Sequence, residues 1–179
     1  MHADIKKNVL TDENFYKYLK IIIKEEFMFV KNSNKVKTKL YLDSNIFLNV
    51  WFVEMVKFGE VFYSSIKLLD KIINCRYHLV VSELTIKELS KKTELPADII
   101  YDEFLKVYEI IDKLTIVKVT KKIAEDAVYF SSSHGIHKPD ALHAMMAKSN
   151  DCLLITRDIE LRYAASKYGI PTFRPEEII

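Results

Sequence analysis

Short apolar runs that alternate with longer helical segments constrain the fold of this chain more than any other feature. The strand-like runs are residues 39–43, 77–82, 115–119 and 152–156, and residues 170–173 could add an edge strand. Apolar residues recur at a helical period in the segments between them, which are residues 44–58, 60–74, 83–93, 96–114, 121–133, 139–149 and 158–169. Strands joined by helices form parallel sheets that are covered on both faces. The alternation therefore predicts an α/β fold, a three-layer α/β/α domain with a central parallel sheet of four to five strands.

The first part of the chain precedes this alternation and has a different pattern. Residues 11–30 repeat apolar side chains at a helical period, and residues 31–39 alternate lysine with polar residues, as expected for a linker. We predict an N-terminal amphipathic helix and basic linker over residues 1–38 and the main domain over residues 39–179. We expect the helix to pack its apolar stripe on its own domain or on a second copy of the chain.

Charge and cysteine content narrow the function classes only in part. The formal net charge of +2 is too small to establish nucleic-acid binding, which requires a clustered basic face. Cys75 and Cys152 form no CxxC pair and lie in apolar surroundings, so we expect buried thiols rather than a disulfide or a zinc site. No apolar run reaches the ~20 residues of a spanning helix, and the start of the chain lacks the pattern of a secretory signal. We therefore expect a cytoplasmic protein with no membrane partner.

Four acidic residues lie where a predicted strand ends or a helix begins. Asp43 ends the first strand, and Glu88 lies on the helix after the second. Asp140 lies in the first turn of the helix before the fourth strand, and Asp158 closely follows that strand. The carboxyl ends of parallel strands meet at one edge of a sheet, where open α/β sheets bind ligands. We therefore expect these four side chains to share one pocket.

A pocket of this kind is expected to hold a divalent cation. Grouped carboxylates repel one another, and their joint burial is costly without a compensating charge. Mg²⁺ or Mn²⁺ fits best, because both prefer oxygen ligands, whereas zinc favours cysteine or histidine. Taken singly, Asp140 and Asp158 could merely complement helix dipoles, and Glu88 could be an ordinary exposed acid. Asp43 is harder to explain in that way, because a charge that ends a central strand loses hydration unless something binds it.

Four segments carry these acids: KLYLDSNIFLN, VVSELTIKELS, HKPDALHAMMA and LLITRDIEL. In order and separation they resemble the four acidic motifs of the PIN-domain nucleases, from about Lys39 to the C-terminus. The resemblance implies a parallel-sheet fold, Mg²⁺ or Mn²⁺ in the pocket, and endonuclease activity on single-stranded or structured RNA, as in the VapC-type toxins. The implied reaction is phosphodiester hydrolysis assisted by one ion, or by two about 4 Å apart.

The resemblance also implies roles for individual residues. It assigns catalysis and metal binding to the four acids, Asp43, Glu88, Asp140 and Asp158, and pocket support to two polar residues, Asn45 and Thr156. Glu83 competes with Glu88 for the second acidic position, and the KEL sequence around Glu88 favours Glu88.

Basic and imidazole side chains near these motifs are further candidates. The RNA-contact candidates flank the pocket motifs and are Lys138, Arg157 and Arg162. His143, one turn beyond Asp140, is a candidate to hydrogen-bond a pocket carboxylate or the phosphate.

The implied partners are the RNA substrate, an antitoxin protein and a second copy of the chain in a homodimer. In PIN-like toxins the helices after the first strand meet an antitoxin or a second subunit. The aromatic residues in this stretch fit core or dimer packing better than base stacking, and they are Trp51, Phe52, Phe58, Phe62 and Tyr63. The N-terminal helix departs from the compact toxin plan, in which the first strand begins almost at the initiator.

Other functions remain as alternatives. A catalytically silent PIN-like module would bind RNA or protein, and metal-dependent cleavage distinguishes it from a nuclease. A phosphotransfer enzyme of similar α/β plan is disfavoured, because Asn45 stands where a haloacid-dehalogenase-type phosphatase would carry its second aspartate.

Overall fold

The computed structural model describes residues 38–51, 59–73, 77–108 and 114–179. The predicted N-terminal helix and most of the basic linker, residues 1–37, lie outside these ranges. So do Cys75, the aromatic residues Phe52 and Phe58, and the side chains of Trp51 and Phe62. The predictions for these residues therefore stay predictions.

The described part of the chain is built on a sheet of five parallel strands: β1 (Lys39–Leu42), β2 (His78–Ser82), β3 (Leu114–Val117), β4 (Leu153–Ile155) and β5 (Thr172–Phe173). Their order in space is β3-β2-β1-β4-β5. The chain thus moves outward from β1 to β3 and then crosses to the other side of β1 for β4 and β5. The predicted parallel sheet, including its edge strand, is confirmed, and the reversal of strand order lies between β1 and β4.

Helices connect these strands: α1 (Ser44–Trp51), α2 (Gly59–Ile73), α3 (Glu83–Thr93), α4 (Ala97–Tyr108), α5 (Lys121–His134), α6 (Lys138–Ser149) and α7 (Ile159–Lys167). A short 3-10 helix, Pro175–Glu177, follows β5. The sequence pattern extends the helix before β3 to residue 114, whereas the structure already places Leu114 in the strand.

The strands bury both of their faces, which explains why they are almost wholly apolar. Leu40, Leu42 and Leu79 face one core, together with buried residues of α1 to α4. Tyr41 and Val80 face the other core, together with buried residues of α5 to α7. Successive side chains of a strand point to opposite faces of a sheet, so each strand supplies both cores. The predicted three-layer α/β/α architecture is confirmed.

Capping residues start helices directly after strands at the edge where the acids lie. The Ser82 hydroxyl at the end of β2 accepts a hydrogen bond from the Thr85 amide at 3.1 Å and begins α3. The Asp158 carboxylate, three residues after β4, accepts one from the Leu161 amide at 2.7 Å and begins α7. Such caps satisfy amide groups that the helix itself leaves unpaired. They fix α3 and α7 close to the carboxyl ends of β2 and β4.

Cys152 is a free thiol that is 4% exposed, just before β4. Burial raises the pKa of this thiol to about 11. Because the thiolate is the reactive form of cysteine, Cys152 is chemically inert near neutral pH. Within the described ranges, every helix is too short or too polar to cross a lipid bilayer.

Candidate active site

Asp43 follows β1 at the centre of the sheet and is 5% exposed. Its Oδ2 accepts hydrogen bonds of 2.6 Å from both the Asn45 side-chain amide and the Thr156 hydroxyl. Thr156 follows β4 and is 113 residues away in the chain, but the pairing of β1 with β4 brings it alongside. The structure thus places both polar residues predicted to support the pocket in direct contact with Asp43. These two contacts orient the carboxylate and leave its Oδ1 facing Ser44 at 3.3 Å and His143 at 3.9 Å.

Glu88 and His143 form the second part of the pocket. The Nε2 of His143 on α6 lies 2.9 Å from the Glu88 Oε2 on α3. The ligand atoms of Asp43, Glu88 and His143 all lie within 4.8 Å of one another. Such an arrangement of carboxylate oxygens and an imidazole nitrogen could hold a metal ion.

Asp140 and Asp158 bring two further carboxylates to the same place. Burial raises the pKa of the Asp140 carboxyl, and the charges of Asp158, Asp43 and Glu88 raise it further. Asp140 therefore lies within electrostatic reach of all three other acids. Asp158 also caps α7, as expected from its position after β4. Its carboxylate therefore both stabilises the start of the helix and adds negative charge near Asp140. Asp140 and Asp158 lie outside the close cluster of Asp43, Glu88 and His143 and are linked to it by these electrostatic interactions, so a site shared by all four acids stays a prediction.

The Glu88 and His143 side chains stabilise each other's charged forms. Burial alone would raise the pKa of Glu88, but the hydrogen bond and the charge of His143 outweigh burial and lower it. Burial likewise opposes a charge on His143, yet Tyr41, Glu88 and Asp43 together raise the pKa of this imidazole well above its ordinary value. Both shifts favour a hydrogen bond in which Nε2 of His143 donates to the Glu88 carboxylate.

The raised pKa of Asp140 predicts how the metal-free protein responds to pH. The folded state holds the Asp140 proton more tightly than the unfolded chain, so this contribution to stability is present at low pH and is lost as pH rises through the folded pKa. The asparagine of Asp140→Asn cannot ionise, so this variant does not lose stability in this way as pH rises. Melting temperatures measured with chelator from about pH 4 to about pH 7 should show the wild type falling relative to Asp140→Asn. Parallel curves for the two proteins would contradict this assignment.

Glu83, the competing candidate for the second acid, lies apart from the pocket cluster. Its side chain is 43% exposed and forms an ion pair with Lys118 at 3.3 Å. Under the nuclease activity that the PIN resemblance implies, Glu88→Gln should lower RNA cleavage more than about 10-fold, because the carboxylate belongs to the cluster. Glu83→Gln is the matched control and should stay within about twofold of the wild type, since exposed ion pairs contribute little. Equal losses in the two variants, measured as initial cleavage rates, would reopen the choice between them.

The three RNA-contact candidates differ in their surroundings. Arg157 donates a hydrogen bond to the Ser64 hydroxyl at 2.7 Å and pairs with Glu176 at 3.0 Å, and its side chain is 17% exposed. Arg162 pairs with Glu177 at 3.1 Å. These contacts tie the C-terminal 3-10 helix to α2 and α7. Lys138 is exposed at the first residue of α6, two residues before Asp140.

Sequence reasoning overlooked Tyr41 and Ser82, which lie directly behind the pocket. The Tyr41 hydroxyl is fully buried, 2.9 Å from Nδ1 of His143 and 2.7 Å from the Ser82 hydroxyl. One signal was available in the sequence: a tyrosine within an otherwise aliphatic strand must find a hydrogen-bond partner when it is buried. Only the packing of α6 on β1 reveals that the partner is His143.

The comparisons with known proteins agree with this architecture. A family model described as "PIN domain" matches residues 40–167. Among solved structures, the chain is similar to FitAcB from Neisseria gonorrhoeae, with a TM-score of 0.54, 19% identity, and coverage of 78% of this chain and 99% of that chain. It is also similar to FitAB bound to an IR36 DNA fragment, with a TM-score of 0.54, 18% identity, and coverage of 76% and 94%. At these identities the likeness concerns the fold. No curated protein matches the sequence significantly.

Proposed function

This chain belongs to the PIN domain family, whose members are generally nucleases, and on that premise we propose that it is a metal-dependent endoribonuclease. One observation supports this proposal most directly: a nearly buried aspartate at the centre of the sheet shares its pocket with three further carboxylates. A binding module that only recognised RNA or protein would not need such a costly concentration of negative charge. The substrate we propose is single-stranded or structured RNA.

The donors in the pocket fit Mg²⁺ or Mn²⁺. Carboxylate oxygens predominate, and burial together with the neighbouring carboxylates raises the pKa of Asp140. The Asn45 Oδ1 is also buried and has no hydrogen-bond partner among the described residues. We propose Asp43, Glu88 and Asp140 as the residues that hold the metal, with Asp158 as the fourth acid of the site. A bound divalent ion would polarise the scissile phosphate and lower the pKa of an attacking water.

The residues of the chain itself would bind and orient the reactants. Asn45 and Thr156 hold Oδ2 of Asp43, so that this carboxylate keeps one orientation. Lys138, exposed beside Asp140, would contact a phosphate of the RNA backbone as a point charge. No side chain needs to act as a covalent nucleophile, so hydrolysis with departure of the 3′ oxygen would leave a 5′-phosphate on the product.

Partners form a separate part of the proposal. The resemblance to VapC-type toxins suggests that an antitoxin protein, or a second copy of this chain in a homodimer, covers the helices that follow β1. Tyr63 on α2, one of the helices of that stretch, is 58% exposed. A cytoplasmic location, where RNA is the available substrate, belongs to the same proposal.

Cleavage of a panel of end-labelled RNAs tests the proposed activity. Wild type and Asp140→Asn are incubated with Mg²⁺ or Mn²⁺, and wild type is also incubated with chelator. We expect cleavage only by the metal-loaded wild type, with 5′-phosphate ends on the products. Cleavage that persists in Asp140→Asn and in chelator would point to a contaminating nuclease. Metal binding without cleavage of any RNA in the panel would favour a catalytically silent binding module instead.

A further inference from the structure

We propose that Tyr41 and His143 are positioning residues. They hold the Glu88 carboxylate in place for the metal without touching the metal. The inference rests on the proposed function, since it assigns Glu88 as a metal-binding residue. It assigns a role to Tyr41 and His143, two side chains that have no part in the proposed reaction. We call Ser82, Tyr41 and His143 the buried relay.

The geometry of the buried relay is continuous from the core to the pocket. The Ser82 and Tyr41 hydroxyl oxygens are 2.7 Å apart, and the Tyr41 oxygen is 2.9 Å from Nδ1 of His143. The opposite ring nitrogen, Nε2, is 2.9 Å from Glu88 Oε2. Ser82 and Tyr41 are fully buried and His143 is 1% exposed, whereas the Glu88 side chain is 25% exposed at the pocket. Buried groups therefore support a longer and more exposed carboxylate.

The hydrogen bonds of the buried relay are satisfied whether the imidazole is neutral or charged. With a neutral ring, Ser82 donates to Tyr41, Tyr41 donates to Nδ1, and Nε2 donates to Glu88. With a charged ring, Nδ1 donates to Tyr41, Tyr41 donates to Ser82, and Ser82 donates to the Thr85 hydroxyl at 3.1 Å. In both cases the hydrogen on Nε2 points to the Glu88 carboxylate. The proposal therefore requires a hydrogen on Nε2, which the charged ring and this neutral tautomer both supply.

The same contacts argue against His143 as a metal ligand. A ligating nitrogen needs a free lone pair directed at the ion, and in both states of the buried relay described above Nε2 instead donates its hydrogen to Glu88. The ring is also packed in the core between Tyr41 and the pocket, with centroids of the two rings 5.7 Å apart. Groups that hydrogen-bond a metal ligand in this way fix its orientation, and their loss typically lowers metal affinity about 10–100-fold. The buried relay should have an effect of that size.

Mn²⁺ binding measured by electron paramagnetic resonance titration of the full chain tests the proposal. We expect His143→Leu to weaken Mn²⁺ binding about 10–100-fold. His143→Gln keeps an amide donor near Glu88 and should recover part of the loss. Tyr41→Phe removes one hydroxyl and should weaken binding about 2–10-fold, the effect of a single neutral hydrogen bond. Tyr77→Phe is the matched control, because its hydroxyl donates to the Ile178 carbonyl at 3.1 Å and, among the described residues, not to the acids, and it should bind Mn²⁺ like the wild type.

Two readouts separate positioning from a merely structural role and from direct ligation. Melting temperatures in chelator identify a variant that fails to fold. If His143→Leu is unfolded, Mn²⁺ binding by Tyr41→Phe tests the proposal instead. Pulsed resonance of the Mn²⁺-loaded wild type should show no coupling to a directly bound imidazole nitrogen. Such a coupling, lost in His143→Leu, would make His143 a ligand and overturn the proposal.

The outcomes also distinguish failure of the buried relay from failure of the proposed nuclease activity. Wild-type affinity in both Tyr41→Phe and His143→Leu would overturn the relay and leave the proposed nuclease intact. A wild-type protein that binds neither Mn²⁺ nor Mg²⁺ would overturn the metal-dependent nuclease and the relay with it.

Discussion

Replacing Asp43 with asparagine should lower metal-dependent RNA cleavage by more than about 100-fold, the upper end of what residues cost when they only support a metal ligand. Asp43 is the most buried of the four acids, and two hydrogen bonds of 2.6 Å fix its carboxylate at the centre of the sheet. The amide oxygen of asparagine can accept the same two bonds, so the pocket keeps its shape and loses a charge. Initial cleavage rates at saturating metal measure the loss.

The same substitution should leave the metal-free protein folded, with a melting temperature close to that of the wild type, because relief of repulsion with Asp140 offsets the lost attraction to His143. The charge of Asp43 contributes to the raised pKa of Asp140, and removing it relieves repulsion between carboxylates. Asp102→Asn, on an exposed position of α4, is the control and should change neither activity nor melting temperature. An Asp43→Asn protein that cleaves RNA at the wild-type rate would remove the central acid from the proposed mechanism. An inactive but unfolded variant would show that the substitution acted on the fold.

Replacing Phe104 with alanine should lower the free energy of unfolding by about 3–5 kcal/mol, the usual cost of removing a buried phenylalanine. Phe104 on α4 is fully buried and meets the ring of Phe47 on α1 edge to face, with centroids 4.9 Å apart and planes at 89°. The contact joins two helices of the layer that also carries Glu88. Urea denaturation followed by circular dichroism gives the change in unfolding free energy.

An exposed aromatic residue provides the control for that stability measurement. Tyr129 on α5 is 64% exposed, and Tyr129→Ala should change the free energy of unfolding by no more than about 0.5 kcal/mol. A small effect of Phe104→Ala, comparable with that of Tyr129→Ala, would mean that α4 does not pack on α1 as described.

The sequence was sufficient to predict the architecture because both faces of the sheet are covered. Strands such as β1 and β2 are therefore almost continuously apolar, and the helices between them have clear periodicity. The acids at strand ends converge for the same topological reason. Helix orientation was harder to predict: Glu83 and Glu88 are about 140° apart around α3, and only the packing of the helix decides which one faces the pocket.

Side-chain partners could not be predicted where they come from distant parts of the chain. Arg157 and Arg162 lie in or next to the fourth acidic motif. Both nevertheless form ion pairs with the C-terminal 3-10 helix, Arg157 with Glu176 and Arg162 with Glu177. Proximity in sequence to the acids contains no information about these contacts. The partner of Tyr41 could not be predicted either. The strand pattern identifies Tyr41 as a core residue, but only tertiary packing connects it to His143.

The contact between Asp43 and Thr156 also fixes when the pocket can assemble during synthesis. The ribosome adds Asp43 113 residues before Thr156, a delay of roughly 6–23 s at typical rates of about 5–20 residues per second. Until β4 pairs with β1, Asp43 lacks the threonine hydroxyl, and Asp140 and Asp158 are not yet in place. A nascent chain of this topology therefore cannot bring its four acids together while most of it is being translated.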